Sequence, residues 1–511
     1  NENGEYGYVD YSFVDGDGNE LDIFGEKSYK PQQSEISLFS FFTKNNSLSL
    51  PAAFDSRDNN CVTPVKQQGL SGNCWAFSTM SMLESDAILN DIDDLTPADY
   101  SEAHFSWFTS KSLTDNTDDP TYGDGFNFDS PFEVGGNWII AAGSLARWTG
   151  AAEDTDYPFS PMDLSAMGNY DESSRYDRGS GVIIKSAEEL LDMNDAKQWI
   201  MEHGSATLAF YFGDEYYNSS SCAYFYNGTN TLNHEITVVG WDDNYSLFNF
   251  NADCRPEANG AWLCKNSWGE EWGEDGCFWL SYDDVSLNQI VGYTATSVYR
   301  YEDIYQYDGF GFHGRGYSND YIRFVNVYTA DSDCEITAVG TWLLQDNSDY
   351  TVEVFRLERD LTACDDALSY VSTAATVPYY GYYVTDLDET LWLKKGDIFA
   401  VCVTLTADAD CPTVNAPIEN VSADDYSCYS EPGQSFVQIA RNGTWYDTSA
   451  QGLNNVCLKA LTAHRHKLND TGNLCTQCGV VVEWSEDLFV KMITCLFAHF
   501  TRIFDSYIIN K

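Results

Sequence analysis

Cys74 has the residue type and the sequence surroundings of a catalytic nucleophile. Cys74 follows Gly72 and Asn73 and opens an apparent helix, whose N-terminus favours negative charge and lowers the pKa of a thiol. A thiolate nucleophile also needs a base that manages a proton and donors that hold an oxyanion. The chemistry of such a site is acyl transfer through a covalent intermediate.

Three of the seven histidines fall in the same predicted domain as Cys74 and are candidates for the base: His104, His203 and His234. His234 opens a β-rich run, and Asn266 follows it in the segment Lys-Asn-Ser-Trp-Gly. An Asn beside a His can fix the imidazole tautomer by accepting its N–H. Taken singly, each motif also has a structural explanation, as a packed cysteine, a core histidine or a turn.

Three motifs in order resemble those of the papain family of cysteine peptidases. They are Gln-Gly-x-x-Gly-x-Cys-Trp-Ala-Phe at 68–77, Asn-His-Glu-Ile-Thr-Val-Val-Gly-Trp at 233–241, and Lys-Asn-Ser-Trp-Gly-x-x-Trp-Gly at 265–273. The resemblance implies that Cys74 is the nucleophile and that His234 is the general base and acid. It also implies hydrolysis of peptide bonds through an acyl-enzyme, with an endopeptidase the expected form and no cofactor for catalysis.

The same resemblance assigns supporting roles. Asn266 would orient the ring of His234, and Trp268 would shield their hydrogen bond from water. Gln68 would donate to the oxyanion together with the backbone N–H of Cys74.

Substrate contacts are implied by a Gly-Gly segment and by the residues before His234. Gly135 and Gly136 would lie beside the cleft, where Gly136 pairs its backbone with an extended substrate. Trp138 would help to wall the pocket for the second residue before the cut. Leu232 and Asn233 would face the same region.

One departure from the family pattern concerns a disulfide. The family often carries a cysteine three residues before the nucleophile, bridged to one just before the Gly-Gly pair. This chain has Ser71 and Glu133 there. We therefore expect the nucleophile loop to lack its usual covalent brace and to be held by packing alone.

The elements that must position these residues are read from the pattern of apolar side chains. From Cys74 to Ile88 the apolar spacing is helical, whereas the segments at His234, 261–265 and 277–282 are β-rich. A helix-rich first half before a strand-rich second half predicts an α+β domain over residues 51–298. Its two lobes would be one helical and one like a β-barrel.

Residues 299–462 have a different character. Strand-like runs recur between turn signals and no long helical pattern is present, which predicts an all-β sandwich. The region resembles the lectin-like β domain that follows papain-type peptidases in some bacterial surface and secreted proteins. That name describes a fold, so a carbohydrate or surface ligand is an expectation only.

The two ends of the chain carry less information. Residues 1–50 are an acidic segment, a candidate remnant of a pro-region, and residues 463–511 form a tail that includes an amphipathic helical pattern. The tail also holds two histidines and two cysteines with the ligand types of a structural zinc site. These four residues are His464, His466, Cys475 and Cys478.

Charge and composition restrict the possible partners and the location of the protein. The net charge of −52 disfavours nucleic acid and anionic lipid as partners. No apolar run reaches the roughly 20 residues of a membrane span, and the 15 cysteines suit an oxidising exterior. We expect a secreted or cell-surface protein with a protein or peptide substrate. Two rival functions are a binding protein with an inactive peptidase domain and a papain-fold acyl transferase or transpeptidase.

Overall fold

The computed structural model describes residues 50–92, 98–114, 121–177, 181–358, 369–408, 411–419, 426–439, 441 and 443–464. Nearly all of the acidic N-terminal segment and of the tail therefore lies outside the described residues. The order of elements agrees with the predicted fold class. Helices occur early, and from residue 206 onward strands dominate.

Within the described residues, four α-helices form the helical part of the first domain. The first follows the predicted period to within one residue, and its side chains from Cys74 to Ala87 are buried. This helix is buried on all sides because it packs between strands and three other helices. The helices are α1 (Cys74–Leu89), α2 (Glu102–Thr109), α3 (Trp138–Ala146) and α4 (Met193–His203).

The described part of the first domain contains ten strands, and most of them pair antiparallel in one sheet. Its order β3-β10-β4-β7-β8-β9 places the predicted strands at His234 and at 261–265 side by side. The strands are β1 (Ala53–Asp55), β2 (Gly125–Phe126), β3 (Val182–Leu190), β4 (Ala206–Phe210), β5 (Tyr217–Asn218), β6 (Ala223–Tyr224), β7 (His234–Asp242), β8 (Ala261–Lys265), β9 (Cys277–Ser281) and β10 (Asn288–Ser297).

The following region is an all-β sandwich, as predicted. Its first sheet contains β23-β14-β17, its second has the order β16-β15-β18-β13-β21-β22, and a shared apolar core fills the space between them. The strands are β11 (Tyr301–Tyr305), β12 (Gly314–Ser318), β13 (Tyr321–Thr329), β14 (Cys334–Leu343), β15 (Ser348–Leu357), β16 (Ser369–Val377), β17 (Gly381–Leu393), β18 (Ile398–Thr406), β19 (Val414–Ile418), β20 (Tyr426–Ser427), β21 (Ser435–Gln438), β22 (Tyr446–Asp447) and β23 (Leu458–Ala463).

The two regions share backbone hydrogen bonding across the boundary predicted at residue 298. Strand β17 pairs antiparallel with β3, and Gly381 lies opposite Glu188 in that register. A second pairing joins β2 to β20. The sheet of the first domain therefore continues into the β domain, which the sequence did not indicate.

A set of buried charged side chains also lies at this junction, and we call it the junction cluster. It comprises Asp124, Arg147, Asp308, Glu419 and Lys459. Lys459 pairs with Asp308 at 2.8 Å, and Arg147 donates to the carbonyl of Gly309 at 2.8 Å. Burial raises the pKa of the carboxyls of Asp124, Asp308 and Glu419, which disfavours their ionised forms.

Candidate active site

Cys74 is the first residue of α1 and is fully buried. Burial raises the pKa of its thiol, and the nearby Glu235 raises it further, whereas the backbone N–H groups of Glu235, Trp75 and Cys74 itself lower it. Asn73 precedes the helix but makes no side-chain capping hydrogen bond. The helix N-terminus is therefore available to a negative charge at the sulfur.

His234 and Asn266 are joined by a hydrogen bond between Nε2 and Oδ1 at 2.9 Å. The backbone N–H of Ser267 donates to the same Oδ1 at 2.8 Å, which identifies that atom as the oxygen. Nε2 of His234 is then the donor, and in the neutral ring Nδ1 is left as the basic nitrogen. Burial lowers the pKa of His234 to about 4, while the hydrogen bond to Asn266 raises it.

Two contacts bring α1 and β7 together at this point. Cys74 packs against Ala209, and Leu232, two residues before His234, packs against this pair. Ser78 of α1 donates its hydroxyl to the carbonyl of Ile236 in β7 at 2.8 Å. The thiol and the imidazole thus belong to elements that are fixed to each other on both sides of His234.

Trp268 lies flat on the ring of His234. The two ring centroids are 4.7 Å apart with an interplanar angle of 19°. Phe212 meets Trp268 edge-on, with ring centroids 4.7 Å apart. This aromatic cover limits the access of water to the imidazole.

Gln68 is tied to the segment that carries Asn266. Its backbone N–H donates to the carbonyl of Ser267 at 2.8 Å, and its Oε1 accepts from the hydroxyl of Ser267 at 2.6 Å. Its Nε2 donates to the carbonyl of Ser71 at 2.9 Å. Because Oε1 is occupied by Ser267, the amide group of Gln68 is turned toward the loop that leads to Cys74.

The Gly-Gly segment packs against α1. A Cβ atom built on Gly136 would lie 2.6 Å from the indole ring of Trp75, so a larger residue there would displace either the chain or the ring. Gly135 precedes this contact and is half-buried. Their role in substrate pairing stays a prediction.

The other predicted substrate contacts are mostly engaged inside the protein. The ring of Trp138 is buried and lies against Trp342 and Tyr380 of the β domain, with centroids 5.9 Å and 5.5 Å away. Asn233 exchanges two hydrogen bonds with the backbone of Phe212. Leu232 is half-buried and packs against the cluster formed by Cys74 and Ala209.

The expectation that the nucleophile loop is held by packing alone is incomplete. The backbone N–H of Gly72 donates to the carbonyl of Phe132 at 2.9 Å, next to the positions of Ser71 and Glu133. A main-chain hydrogen bond therefore links the two segments where the family often has a disulfide.

The predicted zinc ligands are mostly beyond the described part of the chain. His464 is described, and its Nδ1 lies 2.9 Å from a carboxylate oxygen of Glu302. His466, Cys475 and Cys478 lie outside the described residues. Among the residues that are described, no group of three or more potential ligands could hold a metal ion.

The sequence did not reveal a small cavity beneath the site, which we call the charge cavity. It is lined by Lys66, Glu84, Glu102, Glu235 and Lys265, together with uncharged residues of α1, of β7 and of the segment that follows β8. The five charged residues lie far apart in the sequence, mostly in separate short motifs, so they meet only in the folded chain. The sequence contains one indication of the cavity, because Lys265 and Glu235 are the direct neighbours of Asn266 and His234.

Comparison with known families identifies both halves of the chain. Residues 50–105 and 126–298 match the model of the papain family of cysteine proteases, which agrees with the joined Cys74, His234 and Asn266 elements. The first domain belongs to that family. Residues 304–462 match the model of the lectin-like domain.

Curated relatives match about half of the chain. Probable cysteine protease RD19B of Arabidopsis thaliana is 29% identical over 237 residues, which is 45% of this chain and 58% of the relative. Procathepsin L of Rattus norvegicus is 26% identical over 292 residues, which is 55% of this chain and 76% of the relative. The chain thus spans little more than half the length of the plant relative.

Two solved structures resemble both domains together. The clostridial cysteine protease Cwp84 after propeptide cleavage is 26% identical with a TM-score of 0.68, and the match covers 81% of this chain and 99% of that one. The cysteine protease and lectin-like domains of Cwp84, described as a surface layer associated protein of Clostridium difficile, give 25% identity and a TM-score of 0.69, covering 81% of this chain and 89% of that one.

Proposed function

We propose that this protein is a cysteine peptidase that hydrolyses peptide bonds with Cys74 as nucleophile and His234 as general base and acid. The observation that carries the proposal is the Asn266–His234–Trp268 arrangement beside the helix that begins at Cys74. The family match of residues 50–105 and 126–298 supports the same chemistry.

Burial decides how the nucleophile is activated. Desolvation raises the pKa of Cys74 and lowers that of His234, so neither group gains from being charged alone. A thiolate forms only when the proton of Cys74 moves to Nδ1 of His234, which creates an ion pair. The α1 N-terminus favours the thiolate, and Asn266 favours the imidazolium by accepting from Nε2.

The reaction then proceeds in two steps. The thiolate attacks the peptide carbonyl, while the oxyanion accepts from the backbone N–H of Cys74 and from Nε2 of Gln68. His234 gives its proton to the leaving amine, and water, deprotonated by His234, releases the acyl-enzyme. A protein or peptide cut internally is the proposed substrate, as the resemblance to the papain family implies, with the Gly135–Gly136 backbone pairing with an extended chain.

The β domain is proposed to place the peptidase at a surface, where a carbohydrate or other surface ligand is the partner to test. Cwp84 is a surface layer associated protein, and its likeness across both domains supports a secreted or cell-surface location here. None of the helices in the described part of the chain is long and apolar enough to span a membrane.

Labelling with a thiol-directed peptidyl probe tests the proposal. We expect modification at Cys74 and loss of at least a thousandfold in kcat/KM in Cys74→Ala, because a nucleophile is removed. Cys222→Ser is the control, since Cys222 is the partly exposed thiol among the described cysteines and lies outside the site. Labelling at Cys222, or activity retained in Cys74→Ala, would contradict the assignment.

Two further measurements separate the rival functions. A binding protein with an inactive peptidase domain would show no peptide cleavage in the parent protein. An acyl transferase would give an amide product in the presence of an added amine, with little free acid. We expect free acid and amine as products.

A further inference from the structure

Glu235 immediately follows His234 in β7 and has no role in the proposed reaction. Its side chain is buried, and neither carboxyl oxygen has a hydrogen-bond partner. In the register of β4 and β7 it lies opposite Ala209, which itself packs against Cys74. A carboxyl group without hydrogen bonds is therefore held beside the nucleophile.

Several elements contribute charged and titratable groups that share the charge cavity with Glu235 or feel its charge. Cys74 and Glu84 come from α1, Glu102 from α2, Tyr293 from β10 and Lys265 from β8. Lys66, in the loop before Gln68, completes the set.

The two lysines of the charge cavity are engaged elsewhere. Lys66 lies 3.2 Å from Glu84, 2.7 Å from Asp99 and 2.9 Å from Glu102. Lys265 donates to the hydroxyls of Thr63 and Ser81, both at 2.9 Å. Glu235 therefore lacks a counter-ion, and its burial raises its pKa to about 8.

The charge of Glu235 acts on the nucleophile. A carboxylate at this position disfavours a thiolate at Cys74, because two like charges would share a dry site. A neutral carboxyl does not oppose the thiolate. The backbone N–H of Glu235 favours the thiolate whatever the state of the side chain.

We propose that Glu235 is a positioning residue whose carboxyl must be neutral for the Cys74 thiolate to form, so that its ionisation switches the nucleophile off in alkaline solution. When Glu235 ionises, its proton leaves to solvent and the proton of the imidazolium returns to the sulfur. The inference rests on the proposed role of Cys74. It adds an upper pH limit for activity, which Gln68, Cys74, His234 and Asn266 do not supply by themselves.

The test compares the parent protein with Glu235→Gln, which keeps the size of the side chain and cannot ionise. The rate of alkylation of Cys74 by iodoacetamide, mapped by mass spectrometry, is measured from pH 6.5 to pH 9, beside kcat/KM for a peptide. We expect the Glu235→Gln to parent ratio of both rates to rise about tenfold over this range, since one unit in the pKa of the thiol is a factor of ten.

Glu102→Gln is the matched control. Glu102 lines the same cavity and burial raises its pKa to about 7, yet it pairs with Lys66 and belongs to α2. Its variant is expected to follow the parent rate profile at all pH values. If its ratio also rises tenfold, the effect belongs to the cavity as a whole and the inference is wrong.

A flat ratio for Glu235→Gln, within about twofold from pH 6.5 to pH 9, would overturn the inference. Circular dichroism at each pH verifies folding, and Glu235→Ala repeats the test if the Gln variant does not fold. Alkylation does not require catalysis, so the two proposals fail separately. No peptide cleavage with a rising alkylation ratio refutes only the peptidase function, whereas cleavage with a flat ratio refutes only the role of Glu235.

Discussion

The charge cavity beneath the active site and the junction cluster between the domains both bury ionisable side chains, but they balance charge in different ways. In the cavity, Lys66 contacts three carboxylates and Lys265 is held by hydroxyl groups. At the junction, three carboxyls share one close ammonium group, Lys459, because Arg147 donates to backbone carbonyls and to the hydroxyl of Thr149.

This difference separates two kinds of pH dependence. The cavity leaves one carboxyl, Glu235, without a counter-ion, so its titration bears on the nucleophile and, because burial raises its pKa in the folded state, also on the free energy of unfolding. The junction leaves Asp124 and Glu419 with one unpartnered oxygen each, so their titration bears on how the domains hold together. Activity should therefore respond to pH through Glu235, whereas stability should respond through the junction carboxyls as well.

Removing the junction ammonium should have the largest effect on stability. In Lys459→Met the carboxylate of Asp308 loses its partner at 2.8 Å while staying buried. We expect the free energy of unfolding to fall by about 3–5 kcal/mol, the usual cost of leaving one partner of a buried pair. Urea unfolding monitored by fluorescence measures this loss.

Lys185→Met is the matched control for Lys459→Met. Lys185 pairs with Asp386 of the β domain at 2.8 Å, but the two side chains are 28% and 45% exposed. The expected loss is below about 1 kcal/mol. Equal losses in the two variants would show that the buried pair Lys459–Asp308 contributes no more to stability than the exposed pair Lys185–Asp386.

Crowding the shared sheet should have an intermediate effect. A Cβ on Gly381 would lie 2.1 Å from the carbonyl oxygen of Ala187, so Gly381→Ala must push β17 away from β3. We expect a loss of about 1–3 kcal/mol in the free energy of unfolding, typical of overpacking. Thermal or urea unfolding detects it.

The control for Gly381→Ala also lies at the junction. A Cβ on Gly143 in α3 would come no closer than 3.4 Å to its nearest neighbour, the carbonyl of Phe310. Gly143→Ala should be neutral or stabilise the protein by up to about 1 kcal/mol through helix propensity. Destabilisation by both variants to the same degree would argue against a specific role for the β3–β17 pairing.

The smallest change is expected in the pH slope of stability. Burial raises the pKa of Glu419 in the folded state, so between the unfolded pKa and the folded one the native protein binds more protons. The unfolding free energy therefore falls as pH rises through that window. Glu419→Gln should reduce this fall between pH 5 and pH 8 in urea titrations. Glu389→Gln, at an exposed site, should leave the slope unchanged.

Much of the fold and of the candidate site follows from local sequence. The helix at Cys74 and the strands at His234 and 261–265 were predicted to within a few residues, since their apolar periods and motifs are continuous. The Asn266–His234 contact was expected from the motif order and is present at 2.9 Å.

The remaining features depend on contacts between distant segments. Nothing near Trp138 indicates that its ring would face Trp342, and a neutral Glu235 requires that Lys66 and Lys265 have other partners. The β3–β17 pairing is set by the docking of two domains. Such features need tertiary context, because a single segment contains only one side of each contact.

The continuous sheet constrains how this protein could be recombined. A chain cut at residue 298 would turn β3 into an open strand edge on the peptidase, and the excised β domain would expose β17 in the same way. Unprotected strand edges invite association with other chains. Grafting either half onto a new partner would therefore require a substitute strand or charged residues along the severed edge, so the two halves are expected to be inherited as one exchangeable unit.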